Sequence, residues 1–142
     1  MKTRIIALSM FIGAALCAQT TIWMMGDSTM ASYPKDRAPL TGWGQALSEY
    51  CKSGVKVQNQ AISGWSTTMF MKKDDKTGKS KFDSFVDKIK PGDYLIIQFG
   101  HNDQKKNSER QYASPEKYRE YMTFFVNEAK KRGATPLFAT SV

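Results

Sequence analysis

Two short runs in this sequence are apolar almost from end to end, and each stops at a glycine. Residues 21–25 read Thr-Ile-Trp-Met-Met before Gly26, and residues 93–99 read Asp-Tyr-Leu-Ile-Ile-Gln-Phe before Gly100. A strand with one wet face alternates apolar and polar positions. A run without alternation is the mark of a strand covered on both sides, as in a parallel sheet between helices. The segments between and after these runs supply those covers. Trp43, Ala46, Leu47 and Tyr50 recur at helical spacing, as do Phe82, Phe85, Val86 and Ile89. Residues 67–70 start a further short helix. From Ser114 onward the signals are stronger. Ser114 is a good N-cap and Pro115 suits the first helical position. Tyr118, Met122, Phe125, Val126 and Ala129 line one face, and Gly133 closes the helix. Short strands are expected at 55–59 and 135–142. The order β-α-β-(α)-β-α-β predicts an α/β fold with a parallel sheet and helices on both faces.

The first eighteen residues stand apart. Lys2 and Arg4 precede a mostly apolar run from 5 to 16, and Leu16-Cys17-Ala18 ends it. That is the pattern of a secretory signal peptide, too short to span a bilayer as a stable helix. The domain proper is then 19–142, and the expected location is secreted or periplasmic. A lipidated Cys17 is the alternative, for which Leu16 is a poor fit. Without the signal, Cys51 is left as a single thiol, expected buried and inert, with no disulfide partner. The formal charge falls from +8 to +6 with the loss of Lys2 and Arg4. A basic exported chain favours polyanions such as acidic polysaccharide, and export argues against nucleic acid.

In parallel α/β sheets, ligands bind outside the carboxyl ends of the strands. Three polar turns fall there: Gly26-Asp27-Ser28, the segment around Gly64, and Gly100-His101-Asn102-Asp103. A serine at a strand end is a nucleophile once a base takes its proton. Acyl transfer also needs donors aimed at the developing oxyanion. The backbone amides of Ser28 and Gly64 and the side-chain amide of Asn102 would make three. At Gly64, the missing Cβ leaves room for the substrate's oxygen.

With these residues in place, the chain resembles the SGNH (GDSL-type) hydrolases, and within them the rhamnogalacturonan acetylesterase-like carbohydrate esterases. The first family block matches Gly26-Asp27-Ser28-Thr29-Met30. A segment typical of that subgroup matches Gly42-Trp43-Gly44-Gln45. The second block matches Asn59, Ala61, Gly64 and Ser66, and the third matches Gly100-His101-Asn102-Asp103. The resemblance covers the whole of 19–142. It implies a flavodoxin-like three-layer α/β/α sandwich. It also implies Ser28 as nucleophile, with Ser28, Gly64 and Asn102 as the oxyanion hole, and no metal or organic cofactor. The implied substrate is an acetylated acidic polysaccharide of the pectin type.

Two departures qualify that expectation. Where the subgroup tends to carry Gly-Gly-Arg-Ser and a further arginine, this chain has Ser63-Gly64-Trp65-Ser66 and Thr68. The family's late Asp-x-x-His block, which supplies the base and its orienting carboxylate, occurs nowhere. The only histidine is His101, within the third block. The sequence therefore predicts a fold truncated after about its fourth strand, with an exposed sheet edge prone to aggregation. Such a chain is expected to be nearly inactive. A non-catalytic carbohydrate-binding scaffold is the rival reading, with Trp43 and Trp65 as sugar-stacking candidates, although the spacing puts Trp43 in the core. Another acyl ester as substrate is the second rival.

Overall fold

The computed structural model describes residues 19–141. The predicted signal peptide, with Cys17, lies outside them. Four parallel strands form one sheet: β1 (Thr21–Gly26), β2 (Lys56–Asn59), β3 (Tyr94–Gln98) and β4 (Thr135–Phe138). Their spatial order is β2-β1-β3-β4, so β1 is central and the chain order reverses beside it. The register sets Met24 against Asn59 on one side and against Ile96 on the other. The α/β expectation is met. β4 is shorter than predicted, ending at Phe138 rather than continuing to 142.

One face of the sheet carries the main core. Trp23, Met25, Leu95 and Ile97 point into it and meet Phe70, Phe82, Phe85, Val86, Ile89 and Phe125. Aromatic rings dominate, with Phe70 4.9 Å from Phe99 and Phe82 4.9 Å from Phe125, centroid to centroid. Two helices cover this face: α2 (Thr67–Met71) and α3 (Pro115–Lys131). Ser114 caps α3 as predicted, its hydroxyl accepting the Lys117 amide at 3.2 Å. Of the predicted α3 face, Phe125 and Ala129 are fully buried and the other three pack against the core from partly exposed positions.

Residues 82–89 bury the predicted side chains without forming an α-helix. They run as successive turns ending in a 3-10 turn, Val86–Lys88. Asp93 fastens this segment to the sheet. Its buried carboxylate accepts the Thr21 amide at 2.8 Å, the Trp23 indole N–H at 3.0 Å and the Lys90 amide at 2.9 Å. The openings of β1 and β3 are thereby tied together.

The opposite face is covered by the loop after β1 and by α1 (Trp43–Ala46), which runs into a 3-10 turn, Leu47–Tyr50. Here the predicted phase is wrong. Tyr50 is 82% exposed and Trp43 38% exposed, whereas Gly42 and Gly44 are buried. A Cβ on Gly42 would lie 2.2 Å from the Ala31 carbonyl oxygen, and one on Gly44 2.5 Å from that of Met30. This segment approaches the sheet with its smallest residues. Periodicity of large apolar residues points the other way. Cys51, expected to be buried, is half-buried, and its thiol donates to the Leu47 carbonyl at 3.3 Å.

Candidate active site

Gly26 ends β1, and the next four residues fold into a tight turn. The amides of Met30 and Ala31 both donate to the Asp27 carbonyl, at 3.3 and 3.0 Å. Asp27 is buried, and its Oδ1 accepts the Thr29 amide and hydroxyl, each at 3.0 Å. Its Oδ2 has no partner among the described residues. Ser28 is the part-exposed tip of this turn. The Tyr33 hydroxyl donates to the Ser28 carbonyl at 2.8 Å, and the Trp43 amide donates to that of Thr29 at 2.9 Å. The close approach of Gly42 and Gly44 is what lets the Trp43 amide reach so far.

Asn59, at the end of β2, ties the second turn to the first. Its Nδ2 donates to the Met30 carbonyl at 2.8 Å and to Ser32 Oγ at 3.1 Å, while its Oδ1 accepts the Ala61 amide. The Ile62 amide donates to the Gly26 carbonyl at 3.0 Å, which brings this loop alongside the Ser28 turn. Gly64 follows at φ +79°, a left-handed conformation that strains any residue with a Cβ. Ser66 then caps α2.

The third turn leaves β3 at Gly100. Asp103 is its anchor. Oδ1 accepts the amide of Thr67 at 2.9 Å and the Thr67 hydroxyl, and Oδ2 accepts the Gly100 amide at 3.1 Å. Burial pushes the Asp103 carboxyl above the usual carboxylate range, and the bonds from Thr67 and Gly100 oppose that only in part. Asn102 is 2% exposed, and its Nδ2 donates to the Trp65 carbonyl at 2.8 Å. The Gly64 and Asn102 turns are thus in direct contact, and both flank the central strand that carries Ser28. His101 is exposed, and its ring makes no hydrogen bond to another described residue.

Two further side chains of this region come from the polar loop 104–113, which none of the sequence motifs singles out. Lys105 Nζ donates to Asn102 Oδ1 at 2.7 Å. Gln111 Nε2 donates to the Gly64 carbonyl at 2.6 Å and reaches Asn102 Oδ1 at 3.5 Å. The i, i+3 spacing of Asn102 and Lys105 is the one available signal, and it is faint. Beside Gly64 lies a cleft of about 350 Å³ lined by Ser63, Trp65, Ser108, Arg110 and Gln111. Trp43, read as a core residue, stands half out of the surface, its indole N–H held by the buried Gln98 at 2.8 Å.

Known proteins resemble this chain along nearly its whole described length. Rhamnogalacturonan acetylesterase RhgT of Bacillus subtilis is 37% identical over 121 residues, which cover 85% of this chain and 48% of that protein. The probable rhamnogalacturonan acetylesterase YesY of the same organism is 34% identical, over 85% of this chain and 53% of its own length. The chain therefore spans about half the length of the curated relatives it matches. Among solved structures, Bacillus subtilis YxiM superposes with a TM-score of 0.67 at 29% identity, over 86% of this chain and 32% of that one. A carbohydrate esterase family 2 enzyme from Corynascus shares the fold at 18% identity and a TM-score of 0.56, over 87% of this chain and 45% of that one. Residues 24–141, from the middle of β1 to beyond β4, match the model of one family. The chain belongs to the GDSL-like lipase/acylhydrolase family.

Proposed function

We propose that this chain carries the nucleophile and oxyanion hole of an exported carbohydrate esterase, one that removes acetyl groups from acidic, pectin-type polysaccharide such as rhamnogalacturonan. The observation that carries the reading is the joint placement of Ser28, Gly64 and Asn102 on three hydrogen-bonded turns at one end of the sheet. Likeness to two rhamnogalacturonan acetylesterases supports the substrate class.

In this reading Ser28 Oγ attacks the acetyl carbonyl carbon as its proton passes to a base. The carbonyl oxygen becomes an oxyanion facing the Ser28 and Gly64 amides and the free N–H of Asn102. The carbon–oxygen bond to the sugar breaks, the sugar oxygen takes the proton, and water then releases acetate from acetyl-Ser28. The single histidine of the 142 residues is exposed and unanchored. A nucleophile without an oriented base loses several orders of magnitude in rate, so the 142-residue chain alone is nearly inactive.

Release of acetate from acetylated rhamnogalacturonan tests this. A version extended to the length of its relatives should turn over, and Ser28→Ala in it should lower kcat by about 10⁴-fold or more. Unchanged turnover in Ser28→Ala ends the reading. The exposed Trp43 indole favours one rival, a sugar-binding scaffold without chemistry. That rival predicts retention on acetylated pectin with no acetate released by the extended version.

A further inference from the structure

Oxyanion donors work when they are held in place and their N–H groups are polarised before the charge develops. The Asn102 carboxamide meets both conditions, and a residue outside the three turn motifs supplies the second. Three neighbours fix which way the amide faces. The Trp65 carbonyl takes one N–H at 2.8 Å, and the Lys105 ammonium sits on Oδ1 at 2.7 Å, with Gln111 Nε2 on the same oxygen at 3.5 Å. A flipped amide would set its NH₂ against a cation and its oxygen against a carbonyl. The second N–H of Nδ2 has no protein acceptor among the described residues.

We infer that Lys105 is a positioning residue of the oxyanion hole: its ammonium polarises the Asn102 carboxamide from behind and strengthens the N–H that faces the reacting carbonyl. The inference rests on the reading of Asn102 as an oxyanion donor. A charge-assisted bond at 2.7 Å is among the strong ones, and hydrogen bonds in a chain polarise one another. Asn102 is 2% exposed and Lys105 is itself half-buried, so water screens the pair weakly. The ammonium meets the carboxamide at its oxygen, not at the N–H that would face a substrate. It acts through Asn102 rather than on the substrate. Gln111 steadies the same arrangement by joining the Gly64 carbonyl, at 2.6 Å, to the Asn102 oxygen.

The test reads acetylation of Ser28 by 4-nitrophenyl acetate in mildly alkaline buffer, where hydroxide takes the serine proton in place of a histidine. Acetyl-Ser28 is followed by mass spectrometry, with Ser28→Ala as blank. Asn102→Ala should slow acetylation by about 100-fold. Lys105→Met should slow it roughly tenfold at saturating ester, with the half-saturating concentration unchanged, and Lys105→Arg should restore most of the rate. Lys105→Met should cost nothing further in an Asn102→Ala background, since the lysine has no other route to the reaction. If Lys105→Met acetylates like the unaltered chain while Asn102→Ala is slow, the inference falls and the oxyanion reading stands. If Asn102→Ala is itself without effect, that reading falls and takes this one with it. An equal loss from Lys105→Met with and without Asn102 also overturns the inference, because it marks a general disturbance. Thermal unfolding of each variant separates that disturbance from a local one.

Discussion

Gly42 illustrates how much of this site rests on the absence of atoms. Its missing Cβ lets the backbone press onto Ala31, and the next amide reaches Thr29 beside Ser28. Gly42→Ala should destabilise the protein by about 3 kcal/mol, since the clash is with backbone that cannot swing away. Gly78 is a useful contrast. Unlike Gly42 it has a positive φ, of +65°, but an added methyl there meets nothing within 4 Å. Gly78→Ala should cost only about 1 kcal/mol, from the left-handed conformation alone. Denaturant unfolding of the two variants checks the difference. Asp103 makes a different prediction, in pH. Its folded pKa is raised by burial, so the folded state holds the proton longer than the unfolded chain does. The stability linked to this group is complete below the unfolded pKa of about 4 and is lost as pH rises through the folded value. Asp103→Asn should abolish that descending limb in urea titrations taken across the interval, while lowering stability overall because an N–H then faces the Gly100 amide.

At the level of elements, α3 is the plainest case of a signal written in one place. Its cap, its first-turn proline and its terminal glycine are all local, and the helix runs Pro115–Lys131 as those residues dictate. Ser114→Ala should cost about 1 kcal/mol, read from the urea midpoint at constant slope. β1 and β3 were equally legible, because unbroken apolar runs bounded by glycine leave few alternatives. Residues 82–89 were legible in burial but not in form. The four apolar side chains reach the core from turns as well as from a helix, and Pro91-Gly92 leaves little length in which a helix could become established. α1 was misread because its contact surface is made of glycines, to which a hydrophobic period is blind. The site divides in the same way. Ser28, Gly64 and Asn102 follow from turn positions at strand ends, which topology alone gathers. Lys105 and Gln111 come from an aperiodic loop whose path is set by hydrogen bonds between its own turns, and the i, i+3 spacing of Asn102 and Lys105 is only a faint pointer to a target.

Among the described residues, the sheet is open on one side of the molecule. β4 is an edge strand, and Tyr94, Leu137 and Phe138 are 40%, 44% and 61% exposed. Beside them a groove of about 980 Å³ runs between α3 and β4, lined by Tyr118, Met122, Val126 and Phe138. An unpaired edge with apolar flanks templates self-association. Sedimentation velocity should show mass rising with concentration, and Leu137→Lys with Phe138→Lys should suppress it. A monomer at every concentration would contradict the expectation. The central place of β1 also has a consequence in time. The first strand to be made has partners that are made late: Ile22 pairs with Val57 and, across its other edge, with Tyr94. At about 5–20 residues per second of synthesis, the 72 residues from Trp23 through Tyr94 take roughly 4–14 s to appear. Until β2 appears the strand that leads to Ser28 is a bare apolar ribbon, and its other edge stays open until β3 arrives, so whatever escorts the newborn chain must shield it.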